Sequence, residues 1–507
     1  MVERSSAYVP PPLPDKLQTS LQDNIAAIRT LFADVDAVHY RDIENRGHSF
    51  CLIYGDGLVN SDRLDAHVLR PLMLTDQLPP VGQGDTPQLL ETIIRQVVPV
   101  SGIRQVNDWD SIVASLTYGD ALLLVNSVPV GLILEVKGFN LRASTEPDSE
   151  RILSGPREGF SEALLSNLAL LRRKIRSQEM KVKYRVLGEQ TRTQIAVVYM
   201  EGLINKEILQ ELNQRLERIH MDGILDANYI TEMIRDNTWS AFRTIGYTER
   251  PDVVAAKLLE GRIAVFVDGT PVVLTVPYLF VENFQSNEDY YLSFYYTSFS
   301  RALRMVGLLL SITVPALYIA IISYHHEMLP LPLMINIAKD SHNVPLPAAF
   351  ECMLLLLMFD ILRETGIRMP SPIGQALSIL GALVVGQAAV EAELVAAPMI
   401  IVVAVSGITS LLIPKMNASL IFMRLFLLVL GSTLGFLGLV LGLSYLLIRV
   451  LSLESFGISQ VARDEHFQCQ EIKDTFIRAP WWQMRTRRPV LSANQTRMRH
   501  KTWKELP

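Results

Sequence analysis

The sequence predicts an α/β head built from two related subdomains, followed by an all-α polytopic membrane domain. Three observations lead there. Half of the 507 residues are hydrophobic while a fifth are charged, so apolar and polar residues must be segregated along the chain. Four long uncharged runs crowd into about the last 200 residues. The first 300 or so residues instead carry a pair of matched motifs.

The expected organisation is an N-terminal segment at 1–29, subdomain 1 at 30–155, subdomain 2 at 156–300, a transmembrane helical domain at 301–450 and a basic C-terminal tail at 451–507. Residues 1–14 are polar and proline-rich and lack a charged-then-apolar signal pattern, so the segment is expected to be flexible and the head cytoplasmic. The repeat follows. SFCLIYGDGLVN (49–60) and QIAVVYMEGLIN (194–205) share Tyr-x-Asp/Glu-Gly-Leu-Val/Ile-Asn, a β-rich run with a glycine turn and a polar helix start. Downstream, residues 121–136 and 263–277 each read as two apolar runs joined by a turn, Asn126-Ser127 and Asp268-Gly269. Such dipeptides predict tight hairpins, with positive φ at both central residues if the turn is type I′. Gly57 precedes Ser127 by 70 residues and Gly202 precedes Gly269 by 67, so order and spacing agree.

Between the subdomains, GPREGF (155–160) precedes a helix ending near Ser177, whose last turns are crowded by Arg172, Arg173, Lys174 and Arg176. Cations at a helix C-terminus suit its dipole. Arg157, Arg172 and Arg173 are also candidates for contacting the other subdomain.

In the apolar part, residues 305–324, 373–390, 394–414 and 425–448 are each uncharged and 18 to 24 long, enough to cross roughly 30 Å of hydrocarbon. Residues 349–362 are apolar for only 14 positions and carry Glu351 and Asp360, which predicts a re-entrant or interfacial helix. Arg301 and Arg304 before the first run, and the basic tail, place both ends on the cytoplasmic side, with Lys415 and Arg424 facing outward. Tyr290, Tyr291, Phe294, Tyr295, Tyr296 and Phe299 predict an interfacial aromatic collar. Within 373–390, Gly374, Ser378, Ala382 and Gly386 recur every fourth position, Gln387 adds polarity, and Glu391 follows. Small residues on one helix face suit close packing. They also suit the wall of a pore, where a ring of carboxylates would concentrate cations.

The net charge of −5 gives no reason to expect nucleic acid. Cys51, Cys352 and Cys469 are far apart and match no zinc or redox spacing. HExxH, Gly-Lys-Ser/Thr and Gly-x-Ser-x-Gly patterns are missing from the sequence, so no enzyme class and no cofactor or metal is indicated.

The stretches GPREGFSEAL (155–164), VDGTPVVLTVPYLFVENFQSNEDYY (267–291), MPSPIGQALSILGALVVGQAAVEA (369–392) and KDTFIRAPWW (473–482) resemble the A subunit of nutrient germinant receptors in endospore-forming bacteria. The resemblance covers most of the chain. It implies a role in spore germination at the spore inner membrane, beside a transporter-like B subunit that binds the nutrient and a lipoprotein C subunit. It also implies self-association into a homo-oligomer acting as a ligand-gated ion channel in membrane lipid, with 373–390 and Glu391 lining the pore. A transporter that itself carries a small substrate and a membrane scaffold for the receptor complex are the competing readings.

Overall fold

The apolar, β-branched runs beside each glycine turn form strands, and the strands assemble into two five-stranded antiparallel sheets of identical order. A computed structural model describes residues 14, 16–79, 86–138, 146–147, 149–152, 154–342, 344–368, 386–461, 474–475, 477–488, 491–492, 494 and 496–497. The first sheet contains β1 (Val38–Asn45), β2 (His48–Gly55), β3 (Ile103–Val106), β4 (Ala121–Val125) and β5 (Gly131–Leu134), in the order β1-β2-β4-β5-β3. The second contains β6 (Met180–Leu187), β7 (Thr193–Met200), β8 (Gly246–Thr248), β9 (Ile263–Val267) and β10 (Val273–Val276), in the order β6-β7-β9-β10-β8.

Helices cover both faces of each sheet. In the first lobe, α1 (Leu21–Leu31) and α2 (Trp109–Tyr118) pack on the face that carries Cys51, Ile53, Leu122 and Leu124. The alternate residues Phe50, Leu52, Leu123 and Val125 face a second core with Leu64, Val68, Leu72 and Ile93. In the second lobe, α3 (Leu164–Lys174) and α6 (Pro251–Leu259) cover Ala196, Val198 and Phe266, while α4 (Lys206–Glu217) and α5 (Ala227–Ile234) cover Ile195, Val197 and Val265. Successive strand residues point to opposite faces, so strands buried on both sides read as unbroken apolar runs.

The repeat extends to single hydrogen bonds. Asn60 and Asn205, which end the two motifs, each cap a helix, accepting from Arg63 N and Glu207 N. At the β4–β5 and β9–β10 turns, Asn126 N donates to Ser49 O and Asp268 N to Gln194 O, both at 3.0 Å. The same two side chains accept from the first residue of the leading helix, Leu21 N at 3.4 Å and Leu164 N at 3.1 Å. Asn24 brackets Gln18 as Asn167 brackets Ser161. The repeated unit therefore begins near Leu17 and Phe160, which for the first lobe is upstream of the expected boundary at residue 30. The expected flexible segment 1–29 instead holds α1, whose Leu21, Ile25, Ile28 and Leu31 are core residues.

Each hairpin connection has four residues rather than two, because Leu123 pairs with Leu132 and Leu274 with Val265. Positive φ occurs only at the second turn residue, Ser127 at 67° and Gly269 at 88°, which excludes type I′. A Cβ at Gly269 would meet nothing within 4 Å, so backbone strain alone is at stake there. Gly269→Val is expected to destabilise the second lobe by roughly 1–3 kcal/mol, read as a lower melting temperature. The lobes meet where Val35 pairs with Val182, Lys183 Nζ lies 2.7 Å from Asp34, and the Arg176 guanidinium stacks 4.0 Å over Tyr118.

The helical region contains α7 (Phe294–Tyr324), α8 (Leu331–His342), α9 (Ala348–Arg368), α10 (Ala397–Ser410) and α11 (Asn417–Leu451). Among the described residues, two stretches, Phe294–Tyr324 and Pro414–Leu451, are long and apolar enough to cross a membrane. The second is not one rod. Gly435 has φ 61° and ψ −139°, and the chain reverses there. Across the reversal a Cβ on Gly438 would touch Leu430 O and one on Gly442 would touch Leu427, while Phe426 and Tyr445 have ring centroids 5.5 Å apart. Residues 425–448, expected as a single span, are thus parts of two antiparallel arms. The arms leave the head at Met416 and return to it at Leu453, both in one core with Phe242 and Phe284. Residues 349–362, expected to be short and re-entrant, belong to the 21-residue α9. The expected span at 394–414 contains the 14-residue α10, about 21 Å long. Most of 373–390 lies outside the described residues.

Candidate functional site

Head and helices are joined by buried charge. After β10 the chain makes two short 3-10 turns, Phe280–Asn283 and Asn287–Tyr290, and enters α7 almost at once. These turns carry Glu282 and Asp289, which anchor two ion-pair groups.

The first group sits at the base of α7. Arg301, fully buried, donates through Nε to Asp289 at 2.9 Å and through Nη1 to Asp474 at 3.0 Å. Arg304 reaches Asp289 at 3.0 Å and Phe284 O at 2.8 Å. Tyr290 donates its hydroxyl to Asp474 at 3.0 Å, and burial followed by that carboxylate pushes the phenol well above its ordinary range. The tail is thereby bound to the helix base, and Trp481 and Trp482 pack on Tyr290 and Phe294. The aromatic collar is divided: Tyr290 and Phe294 pack on these tryptophans, while Tyr295, Tyr296 and Phe299 are exposed.

The second group surrounds Glu282, which pairs with Arg262 and, at 3.1 Å, with Lys257. Burial alone would raise the Glu282 carboxyl, but the two cations bring it down to about 2 from 4.5. A carboxylate depressed on folding stabilises fully above its unfolded pKa, and the contribution is lost as pH falls through the folded value. Here that window runs from about 4.5 to about 2 and is worth on the order of 3 kcal/mol. Glu282→Gln is expected to remove that contribution at neutral pH and to flatten the acid decline in melting temperature. Lys415, placed by a short turn before α11, donates to Gln285 O at 2.9 Å.

These contacts revise the orientation argument. Arg301 and Arg304, read as a basic flank, are neutralised by Asp289 and Asp474. Lys415, expected to face outward, lies against the head. Arg424, expected to face outward too, is buried between helices, donating to Asp360 at 2.7 Å. Ser406 beside it donates to Ser311 O at 2.7 Å, and buried Glu351 accepts from Ala396 N at 2.6 Å.

Of the pore-lining candidates, Gly374, Ser378 and Ala382 lie outside the described residues. A Cβ on Gly386 would stand 3.9 Å from Ile400 Cδ1, and Gln387 donates to Glu391 at 2.9 Å on the exposed side of a short helical turn. Arg172 is buried, ties the end of α3 to β6 through Ser177 O and Met180 O, and lines the space between the lobes with Phe32 and Leu116. Arg173 pairs with Glu158 and Arg157 is exposed. Sequence reasoning missed the two charge groups. Their acids stood in the quoted stretches 267–291 and 473–482, but partners 173 residues apart leave no local pattern.

The family model for Bacillus/Clostridium GerA spore germination proteins matches residues 26–490. An uncharacterised membrane protein of Bacillus subtilis, YfkQ, is 37% identical over 93% of this chain and 91% of its own. Spore germination protein KA of the same organism is 36% identical over 92% and 86%, and spore germination protein B1 is 32% identical over 96% and 100%. The crystal structure of the N-terminal domain of the A subunit of the Bacillus megaterium spore germinant receptor GerK3 is similar at 29% identity and a TM-score of 0.41, covering 53% of this chain and 99% of that one. With nearly its whole length matched, the chain belongs to the GerA family of spore germination proteins.

Proposed function

We propose that this chain is the channel-forming A subunit of a spore germinant receptor, converting nutrient binding by a transporter-like B subunit into ion release. In this reading it lies in the spore inner membrane with its head on the core side, beside a lipoprotein C subunit. Copies of it form a homo-oligomer around a pore lined by the small-residue face of 373–390 and by Glu391.

The observation that carries the proposal is the buried joint. Because Arg301 and Arg304 of α7 share carboxylates with the head's last turns and the tail, a displacement of the head must move α7. Family membership supports the germination role. Exposed Leu309, Leu437, Leu441 and Ile448 give the helices an apolar exterior suited to lipid or to another copy.

The test is ion release from spores together with quantified subunit levels. Ala382→Leu, which would narrow the bore, is expected to abolish nutrient-triggered release while the subunit persists at its normal level. Glu391→Gln should lower cation flux most at low salt, where screening is weakest. Loss of release that merely tracks loss of the subunit would contradict the pore assignment.

A further inference from the structure

Between the second lobe, the turns after β10 and the base of α11 lies a cavity of about 240 Å³, room for a small organic molecule. Its walls carry both signs of charge, but unevenly. The carboxylates are already engaged. Glu282 is held by Arg262 and Lys257. Glu150 accepts from Thr248 Oγ1 at 2.5 Å and from Glu249 N at 3.2 Å. Asp252 pairs with Arg250, Glu260 with Arg497 and Asp474 with Arg301.

Among the described residues Glu150 is the one carboxylate of the wall held by neutral donors alone, against three cations without an ion pair. Among the described residues, Arg243, Lys415 and Arg488 line the cavity with no carboxylate within ion-pair distance. Lys415 donates only to the carbonyls of Gln285 and Glu282, at 2.9 and 3.4 Å, which satisfy N–H groups without cancelling the charge. Arg243 donates to the Tyr247 hydroxyl and stacks 3.8 Å over its ring. Arg488 reaches Thr475 Oγ1 at 3.3 Å and Asp474 O at 3.5 Å. Arg243, Lys415 and Arg488 are half-buried, and an ammonium or guanidinium group partly withdrawn from water without a counter-ion carries a cost that a bound anion offsets. Tyr278 and Trp481 add aromatic wall.

The geometry points to a binding site for a small oxyanion, a carboxylate or phosphate group on a compact molecule, that neutralises Lys415 and Arg243 from within the cavity. The oxyanion has two possible sources, a solute of the head-side compartment or the headgroup of an anionic lipid, since the cavity lies where the apolar helices begin. The site stands independently of what passes between those helices.

The experiment uses the full chain in detergent. Its melting temperature is followed against sodium phosphate and sodium citrate, with sodium chloride at equal ionic strength as reference. In parallel the chain is placed in nanodiscs of phosphatidylglycerol or of phosphatidylcholine. A ligand that binds only the folded state raises the melting temperature in a saturable way. The expected result is such a rise with at least one oxyanion or with phosphatidylglycerol. Lys415→Met should weaken it at least tenfold, Lys415→Arg should largely preserve it, and Lys206→Gln on the exposed surface should leave it unchanged. A rise with the salts alone identifies a solute, and one with phosphatidylglycerol alone identifies a lipid. If Lys415→Met does not fold, Arg243→Gln makes the same comparison. No rise under any condition, or equal weakening by Lys206→Gln, would overturn the site.

Discussion

Replacing Arg301 with leucine is expected to destabilise the folded chain by about 3–5 kcal/mol, the range for removing one partner of a buried ion pair. Arg301 is fully buried and bridges Asp289 to Asp474, so its loss leaves the buried Asp289 with Arg304 alone and removes the ion pair that ties Asp474 to the helix base. Arg304→Leu should cost much less, because Arg304 is partly exposed and pairs with Asp289 alone, and the fully buried Arg301 still joins Asp289 to Asp474. The two variants should also differ in the tail. Of the two arginines only Arg301 contacts Asp474, so only Arg301→Leu should loosen residues 474–497 toward limited proteolysis. Equal melting and equal tail cleavage in both variants would contradict the bridge.

The second large effect is expected at Gly435. Its backbone occupies a region that L-residues rarely adopt, and a Cβ would stand 3.0 Å from Tyr324 Cγ and 3.1 Å from His325 Cε1. Strain of this kind costs roughly 1–3 kcal/mol before any steric clash is added. Gly435→Val should therefore open the reversal. Straightened, the 35 residues of α11 would span about 52 Å, far beyond a hydrocarbon layer of roughly 30 Å. Cysteine labelling in a cysteine-depleted background reads this directly. In the otherwise unaltered chain, Asn417→Cys and Ser452→Cys should label from one side and Ser432→Cys from the other. Labelling of positions 417 and 452 from opposite sides would contradict the hairpin.

The head was legible in the sequence to an unusual depth, because its repeat lies in local motifs. The Tyr-x-Asp/Glu-Gly-Leu-Val/Ile-Asn pattern ends on a helix cap in both lobes, and the Asn126 and Asp268 turns hold the same hydrogen bonds. Helix α1 was missed although Leu21, Ile25, Ile28 and Leu31 have helical spacing, because the flanking proline-rich stretch dominated the reading. The arms of α11 were not legible. In an apolar run the glycines at 431, 435, 438 and 442 read as packing positions within one helix, and only the backbone angle at Gly435 marks a reversal. The ion pairs were hidden for another reason: Asp360 and Arg424 are 64 residues apart, so each read as an isolated charge. Counting such residues as free flanks misjudged Arg301, Arg304 and Lys415, since a cation held by a carboxylate or by the head no longer reports which side of a membrane it faces.

The central claim, that this chain forms the path for ions released in response to a nutrient, is tested most directly by flux through the reconstituted receptor. Vesicles would carry all the subunits, the partners without this chain, or the full set with Ala382→Leu, each with and without nutrient. The proposal predicts nutrient-triggered flux only with the complete, unaltered set, and none with Ala382→Leu despite equal subunit content. Nutrient-triggered flux from the partners alone, or undiminished flux through the Ala382→Leu complex, would contradict it.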